Sequence, residues 1–162
     1  MPVVDRMSLR GVAEPQANKT TMPHQPNIKI SIVLCCYNQA SVIRQAVESI
    51  LMQRFHGMVE VVVADDASTD DTLERIQSYE KDSSFAFKYC EKKPNMGHAK
   101  NYQRAFAACD GDYIAILEGD DYWVSPYHLQ KHVDFLDAHR ECVLAMNRYY
   151  IYDSTRCQFR TQ

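Results

Sequence analysis

Three carboxylates follow directly on an apolar stretch in the segment "ILEGDDYW", residues 116–123. The first two residues have the character of a buried strand's end, yet Glu118, Asp120 and Asp121 come next. Carboxylates this close together repel one another, and a divalent cation would offset that repulsion. Hard oxygen ligands suit Mg²⁺ or Mn²⁺, which usually keep positions open for substrate phosphates. The segment is therefore a candidate metal and phosphate site.

A second acidic pair, Asp65 and Asp66, follows the strand-like segment "VEVVVA". Turn closure or helix capping would also explain such a pair, and Asp70 and Asp71 nearby are suited to capping. However, ligands of open parallel sheets bind beyond the carboxyl ends of the strands. Two acidic clusters, each at such an end, favour one shared site over two independent caps.

The elements that must position these acids alternate between strand-like and helix-like stretches. Apolar runs predict five strands, at 28–35, 59–64, 85–90, 113–117 and 142–152. Apolar stripes at helical spacing predict four helices, at 41–53, after Ser68, at 98–109 and from Ser125-Pro126. Ser41 and Ser68 are the expected caps, and Pro126 the first residue of the last helix. The order predicts an α/β fold, a Rossmann-like sandwich with a mainly parallel central sheet and helices on both faces.

The composition fits one domain, since 162 residues with 46% apolar content can fill a single core. A net charge of −3 gives no electrostatic reason to expect nucleic acid, and no apolar stretch reaches the ~20 residues of a transmembrane segment. Six cysteines without a C-x-x-C pattern predict reduced thiols in a cytosolic protein. Residues 1–27 carry four prolines and no apolar signal-peptide run. We expect a flexible leader over 1–27, a domain over 28–155 and a tail over 156–162.

Nucleotide binding, if present, cannot use the common glycine-rich loops. No G-x-G-x-x-G follows the first strand, and no G-x-x-x-x-G-K-[ST] occurs. The segment "NMGHAKN", residues 95–101, offers His98, Lys100 and backbone amides at a helix start, where anions are favoured. A solvated lysine is the alternative for Lys100. His128 and His132 have a metal-compatible i, i+4 spacing, but no H-E-x-x-H pattern accompanies them.

Four motifs in order resemble glycosyltransferase family 2, an inverting, nucleotide-sugar-dependent family with the GT-A fold. They are "ISIVLCCYN", "VEVVVADDASTDDT", "NMGHAKNYQRAF" and "DGDYIAILEGDDYW". The resemblance covers residues 28–152, and the four motifs together are specific where any one would be weak. It implies that the chain is the donor-binding part of a GT-A sandwich that stops before the acceptor half.

The resemblance implies a role for each matching position. Tyr37 would lie against the nucleotide base, Cys35 would line the same pocket, and Asp66 would accept a hydrogen bond from a uracil imide, which favours UDP-sugars. The positions expected to bind the nucleotide-sugar are Cys35, Tyr37, Asp66, Lys100, Glu118, Gly119 and Asp120. Of these, Glu118 and Gly119 would lie near ribose and diphosphate. Asp120 would hold the divalent metal, Mn²⁺ or Mg²⁺.

The implied function is metal-assisted, inverting transfer of a sugar, with a UDP-sugar the expected donor, to a saccharide, lipid-linked or protein acceptor. Two departures are visible: Cys35-Cys36 replaces the usual Pro-Thr pair, and Glu118 replaces an aspartate. We assign no catalytic base, because the family's base belongs to the acceptor half, which we expect beyond this chain. We expect a cytosolic location, at a membrane face if the acceptor is lipid-linked.

Two alternatives belong to other functional classes. A non-catalytic nucleotide-binding fragment would share the donor site and lack turnover. A phospho-receiver domain would also place acids at strand ends, but it requires an acid pair after the first strand and a lysine after the fifth. Cys35-Cys36 and "YYIYD" supply neither, which excludes that class.

Overall fold

The structure is a computed structural model that describes residues 28–153 and 155–160. The expected leader at 1–27 lies outside the described residues, as does the end of the expected tail. The strands are β1 Lys29–Cys36, β2 Met58–Asp65, β3 Ala86–Tyr89, β4 Tyr113–Glu118, β5 Ile151–Asp153 and β6 Gln158–Arg160. The helices are α1 Ile43–Leu51, α2 Thr72–Ser78, α3 His98–Ala108 and α4 His128–Ala138, with a 3₁₀ turn at Glu80–Asp82.

The central sheet has four strands in the order β3-β2-β1-β4, and every pair is parallel. The β-branched runs of β1 and β2 form its buried middle, where both faces of a strand need apolar side chains. Because the strands run in one direction, their carboxyl ends align along one edge. The predicted parallel α/β sheet is confirmed.

Helices cover both faces of this sheet. One face carries α1, α2 and α4, whose buried side chains include Ile50, Ile76 and Leu129 and pack against Leu34 and its neighbours. The other face carries α3, with Ala105 packed against Val33 and Val62. Within the described ranges, none of the helices is long and apolar enough to cross a membrane. The predicted sandwich, with helices on both faces, is confirmed.

The predicted caps of the first two helices are wrong. α1 begins at Ile43 and α2 at Thr72, and neither Ser41 nor Ser68 caps its helix; at α2 the Thr72 amide donates to Asp70 Oδ1 at 3.0 Å instead. Ser68 binds instead to the carboxylate of Asp65, its amide donating to Oδ2 at 3.0 Å. The capping-type residues are therefore used within the loops after the strands, so the helices start later than the sequence predicts.

The predicted start of α4 is wrong by a few residues. Ser125 and Pro126 form a turn in which the Ser125 carbonyl accepts from His128 N at 3.3 Å and Gln53 Nε2 at 2.9 Å. The helix begins only at His128. Gln53 also accepts from the Leu129 amide at 3.2 Å, so a buried glutamine from another element holds this helix start.

The predicted fifth strand over 142–152 is wrong. Only the stretch from Ile151 is a strand, and it pairs antiparallel with β6 in a separate two-stranded ribbon. Residues 142–150 form no helix or strand, and Val143 and Leu144 are 98% and 67% exposed. An apolar, β-branched composition therefore did not bring this segment into the sheet.

The handedness of the crossovers limits where a further parallel strand can pair. α1 and α2 lie on one face and lead toward the β3 edge, whereas α3 lies on the other face and leads back past β1 to β4. The connecting helix changes face when the chain changes its direction across the sheet. All three crossovers therefore have the same hand, as the right-handed rule for βαβ units requires. α4 lies on the same face as α1 and α2. A crossover of the same hand would therefore lead from β4 toward β1, and the position next to β4 on that side is already occupied by β1.

Candidate functional site

The ends of β1, β2 and β4 meet at one edge of the sheet. Cys35 on β1 is in register with Glu118 on β4, and its carbonyl accepts from the Gly119 amide at 2.9 Å. On the other side, the Asp66 amide donates to the Cys36 carbonyl at 2.9 Å. The structure thus brings together the residues that the sequence predicted at separate strand ends.

The first strand contributes a buried thiol and an exposed aromatic ring. Cys35 is buried, and burial raises the pKa of its thiol to about 12, with smaller contributions from Cys90 and the Glu118 charge. Tyr37 lies just beyond the strand and is 47% exposed. The edge of the sheet at β1 therefore offers a neutral wall and a ring face open to a planar ligand.

The loop that carries Tyr37 is held by the polar residues of the "DASTDDT" segment. Three backbone amides donate to their side chains: Asn38 N to Ser68 Oγ at 2.9 Å, Gln39 N to Thr72 Oγ1 at 2.7 Å and Ala40 N to Asp70 Oδ2 at 3.0 Å. These hydrogen bonds join the loops after β1 and β2. The sequence predicted helix capping for Asp70, and the structure shows that it also fixes the neighbouring loop.

Glu118 at the end of β4 is bound by two aromatic side chains from α3. Its Oε1 accepts from Tyr102 Oη at 3.2 Å and lies 3.2 Å from His98 Nε2. The rings of His98 and Tyr102 meet edge to face, with centroids 4.7 Å apart. Burial, together with the Glu118 charge, raises the pKa of Tyr102, so its phenol remains a donor at neutral pH. Tyr102 was not among the predicted site residues, although its i, i+4 spacing puts it on the same side of α3 as His98.

Asp66 is 4% exposed, and the loop before α3 surrounds its carboxylate. The amides of Met96 and Gly97 each donate to one carboxylate oxygen at 2.9 Å. Lys100 is exposed on the first turn of α3. It lies two positions after His98 and so faces a different side of the helix from the Glu118 contact.

The acids after β4 lie close enough to influence one another. Burial raises the pKa of Asp121, and the charges of Asp120 and Glu118 raise it further. Asp121 N donates to the Glu118 carbonyl at 3.0 Å, which closes a turn and leaves Asp120 exposed. Asp121 is thus a turn residue, and both Asp120 and Asp121 are exposed to the solvent.

The oxygen ligands at this site suit a hard divalent ion that is bound mainly by a substrate. Among the described residues, no group of three or more His, Cys, Asp or Glu side chains is placed to hold a metal. The exposed carboxylates of Asp120 and Asp121, beside the partly exposed Glu118, suit Mg²⁺ or Mn²⁺ bound largely by substrate phosphates and water. The chemistry of the residues is therefore compatible with such an ion.

Gly119 is required by packing. A Cβ atom built there would lie 2.3 Å from Gln39 Oε1, 2.8 Å from Ile43 Cδ1 and 3.1 Å from Cys36 Cβ. The site edge therefore approaches the start of α1 at this residue.

His128 and His132 belong to the packing of α4. His128 stacks on Trp123 with ring centroids 4.4 Å apart, and His132 Nδ1 lies 2.8 Å from the His128 carbonyl. Burial, followed by the charge of His132, lowers the pKa of His128 to about 4. Trp123 is buried in the core, so it packs the helix and is not open to a sugar.

Residues 31–162 match the model of the family described as "Glycosyl transferase family 2". The chain belongs to this family. Among its relatives, an uncharacterized protein of Mycobacterium tuberculosis is 39% identical over 118 residues, 73% of this chain and 34% of the relative. The Escherichia coli UDP-Glc:alpha-D-GlcNAc-diphosphoundecaprenol beta-1,3-glucosyltransferase WfaP is 32% identical, over 75% of this chain and 46% of that protein.

Solved family 2-like structures share the fold. Staphylococcus aureus TarS 1-349 in complex with UDP-GlcNAc aligns with a TM-score of 0.63 and 29% identity, over 70% of this chain and 32% of that one. The mannosyltransferase PcManGT from Pyrobaculum calidifontis, in complex with GDP-Man and Mn²⁺, aligns with a TM-score of 0.62 and 25% identity, over 68% of this chain and 32% of that one. The expected GT-A sandwich is confirmed. The chain spans about a third to a half of the length of the curated relatives it matches.

Proposed function

We propose that this chain forms the donor-binding part of a glycosyltransferase that uses a UDP-sugar and a divalent Mn²⁺ or Mg²⁺ ion and inverts the anomeric centre. One observation carries the proposal: parallel strands end with Cys35, Asp66 and Glu118 along a single edge, in the fold of a TarS complex with UDP-GlcNAc. An acidic, metal-compatible turn follows the last of these strands.

The base end of the donor is assigned to β1 and β2. Tyr37 would lie against the uracil ring and Cys35 would line the pocket as a neutral thiol. Asp66 would accept from the uracil imide, because each carboxylate oxygen keeps a second lone pair after binding one amide. PcManGT has the same fold and is in complex with GDP-Man, so the nucleotide base that this chain prefers must be determined by experiment.

The diphosphate end is assigned to the turn after β4 and to α3. Asp120 would bind the ion, Glu118 and Gly119 would lie near ribose and diphosphate, and Lys100 would add positive charge. The ion would neutralise the departing nucleotide diphosphate, an effect that grows toward the transition state. We assign no base to the described residues, and the acceptor stays open among saccharide, lipid-linked and protein groups. WfaP acts on a diphosphoundecaprenol-linked sugar, which supports a lipid-linked acceptor; such an acceptor would place the reaction at a membrane face.

Nucleotide-sugar binding without turnover is a second candidate function. It uses the same donor-site residues and requires no catalytic base. The two candidates share the donor site and differ only in catalysis, so binding and turnover must be measured separately.

Calorimetric titration with UDP, with and without Mn²⁺, tests the donor site. We expect UDP binding that Mn²⁺ strengthens, and loss of the Mn²⁺-dependent part in Asp120→Ala. Asp134→Ala, an exposed acid on α4, is the matched control and should bind as the wild type does. Absence of UDP binding at every Mn²⁺ concentration would rule out the assignment. Hydrolysis or transfer of a UDP-sugar would favour the enzyme over the binding-only candidate.

A further inference from the structure

The end of β2 is held by side chains from α3 and the loop before it. Three successive carbonyls each accept one side-chain hydrogen bond: Ala64 from Asn101 Nδ2 at 2.6 Å, Asp65 from Arg104 Nη2 at 2.5 Å and Asp66 from Asn95 Nδ2 at 2.9 Å. Asn101 is 3% exposed, and its Oδ1 accepts from Arg104 Nε at 2.7 Å. The polar residues of the "NMGHAKNYQR" segment thus attach α3 to this one strand end.

The attachment is reciprocal, because Asp66 also holds the loop. Its two carboxylate oxygens accept the amides of Met96 and Gly97, each at 2.9 Å. Gly97 immediately precedes α3 with φ 83° and ψ 158°, a conformation that is essentially restricted to glycine. We call Asp66 with residues 95–97, Asn101 and Arg104 the β2–α3 clamp.

The far side of α3 contacts the other end of the site. Its first two turns bring His98 and Tyr102 to Glu118 on β4. β1 lies between β2 and β4 in the sheet. α3 therefore spans β1 and connects the clamp at the end of β2 with the contacts to Glu118 at the end of β4. Any displacement of the helix start therefore displaces the groups that surround Glu118.

We infer that Asp66 is a positioning residue: by fixing the start of α3, it sets the places of His98 and Tyr102 around Glu118. Binding of the nucleotide diphosphate at the end of β4 then depends on a carboxylate at the end of β2, whichever base the nucleotide carries. The ligand part of this inference rests on the proposed function, whereas the structural part does not.

Asp66→Asn tests the inference with almost no change of volume. An amide keeps only one oxygen acceptor and turns its NH₂ toward the Met96 or Gly97 amide, so one hydrogen bond is lost and two donors face each other. Asp65→Asn is the matched control, because the Asp65 side chain binds Ser68 and Cys36 and does not contact the loop before α3.

The first measurement is amide hydrogen exchange in the ligand-free chain. In Asp66→Asn we expect the amides of Asn101 to Arg104 to exchange roughly tenfold faster or more, since loss of one charged hydrogen bond corresponds to at least that factor. Asp65→Asn should leave them unchanged. Wild-type exchange at these amides in Asp66→Asn would overturn the inference. If Asp66→Asn does not fold, Gly97→Ala replaces it and must give the same result, because it strains the same loop and an added Cβ meets no atom within 4 Å.

The second measurement compares UDP with CDP, whose cytosine carries no imide N–H. A positioning role weakens both in Asp66→Asn, each roughly tenfold. A role limited to uracil recognition weakens UDP alone, and that result would overturn the inference. If the wild type binds neither nucleotide, the proposed function fails, and the exchange measurement alone decides the positioning role.

Discussion

Replacing Glu60 with glutamine is expected to destabilise the protein at neutral pH and to remove much of its sensitivity to acid. Glu60 is 5% exposed on β2, near the end of the sheet opposite the candidate site. Its Oε1 accepts from Ser31 Oγ at 2.5 Å and from the Asp110 amide at 3.2 Å, and its Oε2 lies 2.8 Å from Lys29 Nζ. The buried charge is therefore fully surrounded by donors.

The pKa of Glu60 sets the size of the effect. Burial by itself would raise this pKa, but the bonds from Lys29, Ser31 and the Asp110 amide outweigh burial and bring it from 4.5 to about 2. At about 1.4 kcal/mol for each pH unit, this lowering corresponds to roughly 3 kcal/mol of unfolding free energy. Because the folded-state pKa is lowered, the stabilisation is complete above pH 4.5 and is lost as the pH falls toward 2.

Urea unfolding of the wild type and Glu60→Gln near neutral pH and in acid provides the assay. We expect Glu60→Gln to be less stable by roughly 3 kcal/mol at neutral pH, with the difference shrinking toward zero as the pH approaches 2. Glu48→Gln is the control, since Glu48 is half exposed and solvent screens its ion pair with Arg44, which should therefore contribute little to stability. A stability difference that does not shrink in acid, or that only equals the control, would refute the reasoning.

Three further predictions concern packing and titration near the site. Gly119→Ala should lower the unfolding free energy by about 1–3 kcal/mol in urea titrations, because the new methyl group would overlap Ile43; an unchanged midpoint would contradict this. Since His128 has a folded pKa of about 4, stability should fall as the pH drops from 6.5 toward 4, and His128→Phe should flatten this part of the stability–pH curve. Cys35 should resist alkylation by iodoacetamide near pH 8 in the folded protein and react in urea, because burial keeps its thiol neutral; rapid native labelling, located by mass spectrometry, would disprove it.

The strands of the central sheet could be predicted from the sequence to within a few residues. The β-branched runs of β1 and β2 are typical only of buried strands, so composition decides their structure. Helix starts were less accessible, because serine and aspartate bind backbone groups in loops as readily as they cap helices. Ser68 shows this directly, since it accepts from the amide of Asn38 and caps nothing. The strand predicted after α4 failed for a different reason: whether a segment pairs with a sheet edge depends on the topology, which no local pattern encodes.

The residues of the candidate site that lie at strand ends could be predicted from the sequence. Asp66 and Glu118 follow apolar runs, and a parallel sheet must align their ends. The contacts from α3 were only partly predictable: the i, i+4 spacing puts His98 and Tyr102 on one side of the helix, but the sequence leaves the rotation of that helix undetermined. Ala99 and Phe106 are apolar residues of the helix predicted over 98–109, yet both are exposed, whereas Asn101 is buried. A buried asparagine on the inner face is chosen by hydrogen bonding to β2, a preference invisible to apolar periodicity.

All strands of the central sheet run in one direction. Substitutions that stabilise the fold and substitutions that change ligand binding can therefore occur at opposite ends of the same strands. Ser31 and Glu60 are paired on neighbouring strands, within the group of hydrogen bonds around the Glu60 carboxylate. Cys36 is five residues further along β1 than Ser31, roughly 16 Å away at about 3.3 Å per residue. Changes that far apart usually combine additively. The amino ends of the strands can therefore accumulate stabilising substitutions while the carboxyl ends diverge toward new ligands. The scaffold is modular along its strands, and a stabilised version could be built as a host for altered specificity without disturbing the site.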